Sequence, residues 1–161
     1  EMLKEFRIKV PFMQGMLEDV MNRANKVGSI RTYLGRRCQF NLWEPNWFEV
    51  DPITKQPVFH KALPHGEADI KWSGSIKRAG TYKALNRLIQ GTAADQTKKA
   101  MVDVYEKLGI IPLIQVHDEL NCSVKSDKEA KEIKNIMETC IDLTVPSNVD
   151  YKIKDNWGDA K

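Results

Sequence analysis

The longest regular pattern in the sequence constrains the fold most. From about Arg78 to Leu108, apolar side chains recur at three- and four-residue steps: Leu85, Leu88, Ile89, Ala93, Ala100, Met101, Val104 and Leu108. That spacing places them on one face of a single long helix. Gly109 follows, a residue suited to the left-handed conformation that ends helices. Next comes "LIQVHDELNCSV", Leu113 to Val124, two short alternating runs that meet at His117-Asp118-Glu119. Hairpin turns usually use Asn-Gly or Asp-Gly; this one carries an imidazole and two carboxylates. Ser126 with Glu129 forms a capping box for a helix bearing Ala130, Ile133, Ile136, Met137, Cys140 and Ile141. "VDYKIK" then reads as a closing strand. The order helix, strand, strand, helix, strand is an α+β arrangement.

The upstream part reads differently. Pro11 suits the first turn of a helix, and Met16, Val20, Ala24 and Val27 mark one stripe that Gly28 ends. "IRTYL" and "CQFNLW" alternate around "GRR", which predicts a hairpin at Gly35 to Arg37. Residues 44–77 contain four of the seven prolines, with Trp47 and Trp72 set in polar sequence. An irregular excursion of that length inside a domain is uncommon and often functional. Three segments result: 1–43, a helix and hairpin; 44–77, an irregular insertion; and 78–161, the α+β part.

With 161 residues, 42% hydrophobic and 29% charged, the chain can bury a core. No apolar run reaches the roughly 18 residues a membrane-spanning helix needs. Its N-terminus, "EMLKEFRIKV", lacks the apolar core of a signal peptide, and a first residue of Glu suggests a piece of something longer. Cys38, Cys122 and Cys140 are odd in number and widely spaced, which favours reduced thiols and a cytoplasmic setting. A net charge of +3 is compatible with a polyanionic partner without arguing for one.

Two constellations can carry chemistry. A tight turn would display Asp118 at a strand end, where a divalent cation could bind. Mg²⁺ typically takes one or two protein carboxylates and completes its shell with water and phosphate oxygens. Successive strand side chains point to opposite faces, so Asp118 and Glu119 are not both expected on one ion. The plain alternative is a polar turn. The second constellation is "ALNRLIQGTAAD". Asn86 and Gln90 share a helix face, with Tyr82 one turn earlier. Gly91, costing about 1 kcal/mol relative to Ala inside a helix, suggests close approach of a backbone or ligand. Otherwise these amides are a solvated stripe. Arg36 and Arg37 could grip a phosphate, while His60 and His65, without Cys or acidic neighbours at ligand spacing, read as loop residues.

Together the two segments carry a resemblance. "NRLIQGTAAD", followed about twenty residues later by "QVHDEL", resembles the C-terminal palm of family A DNA polymerases, the bacterial DNA polymerase I type that phages also encode. "TYLGRRCQF" resembles that family's segment just after the fingers, and "VDYKIKDNWGDAK" its C-terminal end. The motif match is strong from about Arg78 to Lys161, fair from about Pro11 to Trp43, and absent across 44–77. The resemblance implies that 1–43 follow the fingers region and 78–161 form a palm-like α+β subdomain. It makes Asp118 a catalytic ligand of Mg²⁺, Glu119 a support of the site near the primer end, and His117 a contact to the primer backbone. Asn86 and Gln90 would contact the duplex minor groove. The family commonly carries an Arg one turn before that Asn; Tyr82 stands here, with Lys83 and Arg87 adjacent as candidates for its role.

The resemblance also implies partners: primer-template DNA, deoxynucleoside triphosphates, and the polymerase segments that carry the other palm Asp, the fingers and the thumb. Residues 1–43 match neither that second metal-binding Asp nor the nucleotide-holding fingers helix, so the chain is expected to hold half a catalytic site and to be inactive alone. A single-subunit RNA polymerase palm shares the His-Asp turn but typically places Ser where this chain has Glu119. A non-catalytic duplex-binding fragment or subunit is the alternative from another class.

Overall fold

The computed structural model describes residues 9–160. It falls into two compact units, one ending at Ile89 and one beginning at Gln90.

In the first unit, helix α1 (Pro11–Val27) starts with proline at its first turn and ends at Gly28, whose φ of +72° is the left-handed cap. The Gly28 N–H donates to the Ala24 carbonyl at 2.9 Å. Strands β1 (Ser29–Arg31) and β2 (Arg37–Gln39) pair antiparallel as the alternation predicts. Their turn spans Thr32 to Arg36, so Arg37 belongs to the strand. Ala24, Ile30, Phe40 and Ala84 form the buried core of this unit, with Val20, Cys38 and Leu88 packed against it. Val27, expected on the buried stripe of α1, is instead exposed. It sits in the last turn, and the next residues, Gly28 to Ile30, are the ones that enter the core.

Residues 44–77 are more ordered than a loop reading suggests. Strand β3 (Trp43–Pro45) pairs antiparallel with β4 (Ile76–Arg78), closing the excursion at its base. Helix α2 (His65–Lys71) lies between them. Val50 bridges to Pro57 and Trp43 to Leu63, so the intervening chain doubles back on itself. The pairing is non-local, which is why periodicity does not announce it.

The long helix begins later than the pattern suggests. Arg78 ends β4, Gly80 takes φ +70°, and a 3₁₀ turn (Thr81–Lys83) leads into helix α3 (Ala84–Leu108). Gly109, with φ +68°, donates to the Tyr105 carbonyl and ends it. Ile89 and Ala93 of the expected apolar face are exposed. Leu85, Ala100 and Val104 are buried.

In the second unit, β5 (Pro112–Val116) and β6 (Glu119–Cys122) form an antiparallel hairpin with an irregularity between Pro112 and Ile114. Helix α4 (Asp127–Thr139) carries its Ser126 cap: the hydroxyl accepts from the Glu129 N–H at 3.3 Å. The reciprocal bond differs from a standard capping box, because Glu129 accepts from the Lys125 N–H at 2.7 Å rather than from Ser126. Ala100, Cys140 and Ile141 form one core cluster, and Val104, Ile133 and Ile136 another; Met137 packs against both. Burial pushes the thiols of Cys122 and Cys140 above their ordinary range, as expected of reduced core cysteines.

The expected closing strand does not form. Val149 to Lys154 is without regular structure and mostly exposed. Its alternation is right for a strand, but no described strand pairs with it. Side chains hold it instead: the Val149 N–H donates to Glu138 Oε1 and the Tyr151 hydroxyl to Asp127 Oδ1, both at 2.9 Å. Helix α5 (Trp157–Ala160) follows. No described helix is long and apolar enough to cross a membrane.

Candidate functional site

Val116 and Glu119 are the last paired residues of the β5–β6 ladder, so His117 and Asp118 alone make the turn. A two-residue hairpin needs positive φ, and without glycine it falls on His117, at +54°. That conformation costs a side chain roughly 1–2 kcal/mol. The Gln115 side-chain amide donates to the His117 carbonyl and braces the turn. His117, Asp118 and Glu119 are all exposed. Asp118 occupies the tip of the turn, while Glu119 begins β6.

The Asp118 side chain has no hydrogen-bond or ion-pair partner among the described residues. It can therefore offer its oxygens to a cation without breaking an existing contact. Among the described residues no group of three or more His, Cys, Asp or Glu is placed to hold a metal ion. Asp118 thus fits as one ligand of a hydrated ion whose remaining shell comes from elsewhere. Asp103 does not supply the second: it is buried and held by Lys99 at 2.7 Å and Lys107 at 3.4 Å. Those ammonium groups, Lys99 first, keep its carboxyl below the ordinary carboxylate range.

On α3, Asn86 and Gln90 are exposed and one turn apart. Arg87 points elsewhere. Its guanidinium stacks on Phe40, 4.9 Å from the ring centre, with Nη1 3.9 Å from Cys38 Sγ. Lys83 lies in the 3₁₀ turn with its ammonium 5.3 Å from the Tyr82 ring. Gln96, which the sequence reading passes over, ties α3 to the chain beyond α4 through Ser147 Oγ at 2.9 Å.

At the β1–β2 hairpin, Arg36 lies in the turn and Arg37 starts β2, directly opposite Arg31. Like charges opposite one another destabilise a ladder. The Arg31 guanidinium is turned onto its own hairpin, Nη1 donating to the Gly35 carbonyl at 2.9 Å. His60 and His65 have other neighbours among the described residues. His60 bonds Glu49 at 2.9 Å, and His65 stands edge-on to Trp43 with ring centres 4.7 Å apart.

The family model for DNA polymerase family A matches residues 1–159. The chain belongs to DNA polymerase family A. It is 40% identical over 157 residues to a DNA-directed DNA polymerase of Pseudomonas phage M6, covering 98% of this chain and 19% of that protein. With the thermostable DNA polymerase I of Thermus aquaticus it shares 29% identity, covering 94% of this chain and 16% of the relative. Among solved structures it resembles the POL domain of Pol1 from M. smegmatis in complex with DNA primer-template and dNTP, with a TM-score of 0.59 and 25% identity. That likeness covers 89% of this chain and 22% of the other. The chain therefore spans about a fifth of the length of these family A proteins. The matched span includes residues 44–77, so the family likeness is wider than the motifs alone carry.

Proposed function

We propose that this chain is part of a template-directed DNA polymerase that adds deoxynucleotides to a primer 3′ end. The observation that carries the reading is the exposed, uncommitted Asp118 at the tip of the β5–β6 turn in a family A chain. In this reading residues 78–161 belong to the palm, 1–43 follow the fingers, and 44–77 are an insertion between them. Asp118 is the catalytic carboxylate and a ligand of Mg²⁺. When bound, two such ions lower the cost of charge on the attacking and leaving oxygens. Glu119 supports the primer end, His117 contacts the primer backbone, and Asn86 and Gln90 meet the minor groove. Lys83, Arg87, Arg36 and Arg37 contribute cationic contacts to primer-template DNA, and the nucleotide is a deoxynucleoside triphosphate. Other polymerase segments supply the second carboxylate and the fingers contacts. Glu119, standing where single-subunit RNA polymerases typically place Ser, favours DNA synthesis over RNA synthesis.

The test is an exchange. This chain replaces the corresponding segment of the Pseudomonas phage M6 polymerase, and extension of a primed template is measured. Extension by the hybrid, and its loss in the Asp118→Ala form, is the expected result. Equal extension by both forms would remove Asp118 from the reaction. The 161-residue chain by itself, assayed in parallel, is expected to bind duplex without extending the primer.

A further inference from the structure

The peptide joining His117 to Asp118 is the central link of the β5–β6 turn, and the ladder does not hold it. Pairing stops at Val116 and Glu119, so its carbonyl and N–H have no partner across the hairpin. Nor does the turn contain a glycine or asparagine whose own φ preference would set its shape. His117 takes positive φ and Asp118 does not, whereas a type I′ turn would need positive values at both. The two arrangements differ mainly by turning this planar peptide over, through ψ of His117 and φ of Asp118.

Gln115 supplies the missing hold. Its side-chain amide donates to the His117 carbonyl, the oxygen of that same central peptide. Gln115 stands on β5 opposite Leu120, and Leu120 packs against the buried cluster of Ala100, Cys140 and Ile141. The bond therefore runs from a stretch of hairpin tied to the core out to the tip, where the ladder has ended. Its effect reaches past the carbonyl. The rotamers open to a side chain depend on its own φ and ψ, and the φ of Asp118 follows the orientation of this peptide. With the peptide held, Asp118 keeps one backbone conformation and one set of directions for its uncommitted carboxylate.

We propose that Gln115 is a positioning residue for Asp118: by holding the His117 carbonyl it fixes the peptide between them, and so the direction in which the carboxylate is offered. Its consequence for DNA synthesis rests on the polymerase reading above; the hold on the peptide does not. Gln115 acts through the backbone and needs no contact with primer or nucleotide.

The experiment has two arms. Both use Gln115→Met, which keeps the length of the side chain and loses its donor, and Gln115→Asn, which keeps the amide and shortens its reach. In the 161-residue chain, nuclear magnetic resonance compares two Overhauser contacts, from the Asp118 N–H to the His117 Hα and to the His117 N–H. Their ratio reads the orientation of the central peptide. The parent is expected to show one orientation, and both variants a ratio shifted by mixing of two, with contacts along the β5–β6 ladder unchanged. In the hybrid polymerase both variants should lower kcat for extension about two- to tenfold, the worth of one hydrogen bond, with KM for primed template unchanged. An unchanged ratio in both variants overturns the proposal, whatever the kinetics. So does a raised KM with kcat intact, which would make Gln115 a direct contact to DNA. A shifted ratio with parental kcat overturns it too, because the peptide would then move without consequence for Asp118. Loss of the ladder contacts themselves would make Gln115 a residue of hairpin stability instead. If the Asp118→Ala hybrid extends as well as its parent, the polymerase reading fails, and the ratio still decides whether Gln115 holds the peptide.

Discussion

The guanidinium of Arg78 lies against the bare Cα of Gly28. A Cβ built on that glycine would meet Arg78 Cζ and Nη1 at 2.7 Å. From this position Arg78 Nε donates to the Asn25 carbonyl at 3.0 Å and Nη1 to the Phe40 carbonyl at 2.9 Å, while the planar group stacks 4.6 Å from the Trp43 ring centre. One side chain thus ties the end of α1, the chain after β2, and β3. Gly28 is constrained twice, by φ +72° and by the contact.

Gly28→Ala is therefore expected to destabilise the chain by about 2–4 kcal/mol, from the left-handed conformation and from displaced hydrogen bonds of a charged group. Urea unfolding measures it. Arg78→Ala should cost a comparable amount, and the double substitution clearly less than the sum, since both remove the same contact. Additive losses would show that Arg78 and Gly28 act independently.

His117 carries the strain of the two-residue turn. Replacing it with glycine should leave stability unchanged or raise it by about 1 kcal/mol, because glycine adopts positive φ without a steric penalty. In the hybrid polymerase the same substitution should raise KM for primed template if the imidazole touches the primer backbone. Loss of stability with no kinetic effect would make His117 a folding residue.

Asp118→Ala in the hybrid is expected to lower the extension rate by on the order of 10² to 10³ or more, as removal of a preorganised charge at a reacting centre does. Duplex affinity should change far less, because phosphate contacts spread over many residues supply most of it. Single-turnover extension and equilibrium binding, measured side by side, separate the two.

Asn86 and Gln90 make a different demand. A polymerase must accept every sequence, and correct pairs present similar acceptors in the minor groove, purine N3 and pyrimidine O2. Amide donors one turn apart on one helix can probe pairing geometry there. Gln90→Ala in the hybrid should slow extension from matched ends by roughly two- to tenfold, the worth of one hydrogen bond, evenly across sequences. The gap to mismatched ends should narrow. A loss that depended on base identity would contradict minor-groove contact.

Asp103 sets a pH dependence. Its folded carboxyl is lowered by Lys99 and then Lys107, so its contribution is fully present above the ordinary carboxylate pKa of 3.8 and is lost as pH falls through the lowered value. Asp103→Asn should destabilise at neutral pH, by about 1 kcal/mol for two pairs with exposed lysines. The difference from the parent should shrink below the ordinary carboxylate range. Urea titrations at neutral and acid pH test the sign. A difference that grew on acidification would contradict the ion-pair assignment.

Much of this molecule was legible from local chemistry. The bounds of α1 follow from Pro11 and Gly28, the end of α3 from Gly109, the start of α4 from Ser126, and the β5–β6 turn from alternation meeting at His117-Asp118. Each is decided within a few residues, where capping, φ preference and side-chain period act directly. The motifs "NRLIQGTAAD" and "QVHDEL" marked the family for the same reason: function requires those residue types at fixed local spacing.

What the sequence could not determine depended on partners distant along the chain. "VDYKIK" has the period of a strand, yet a strand exists only where another offers its backbone groups, and Glu138 and Asp127 took that place. The insertion's ladder required Trp43 to find Arg78, and its interior required Trp47 and Trp72 to meet His60. Arg78 itself read as the first residue of a helix and proved to be a clasp on Gly28. Periodicity and caps encode what each residue does to its neighbours; the pairing of segments is decided by which surfaces remain to be buried once those local elements have formed.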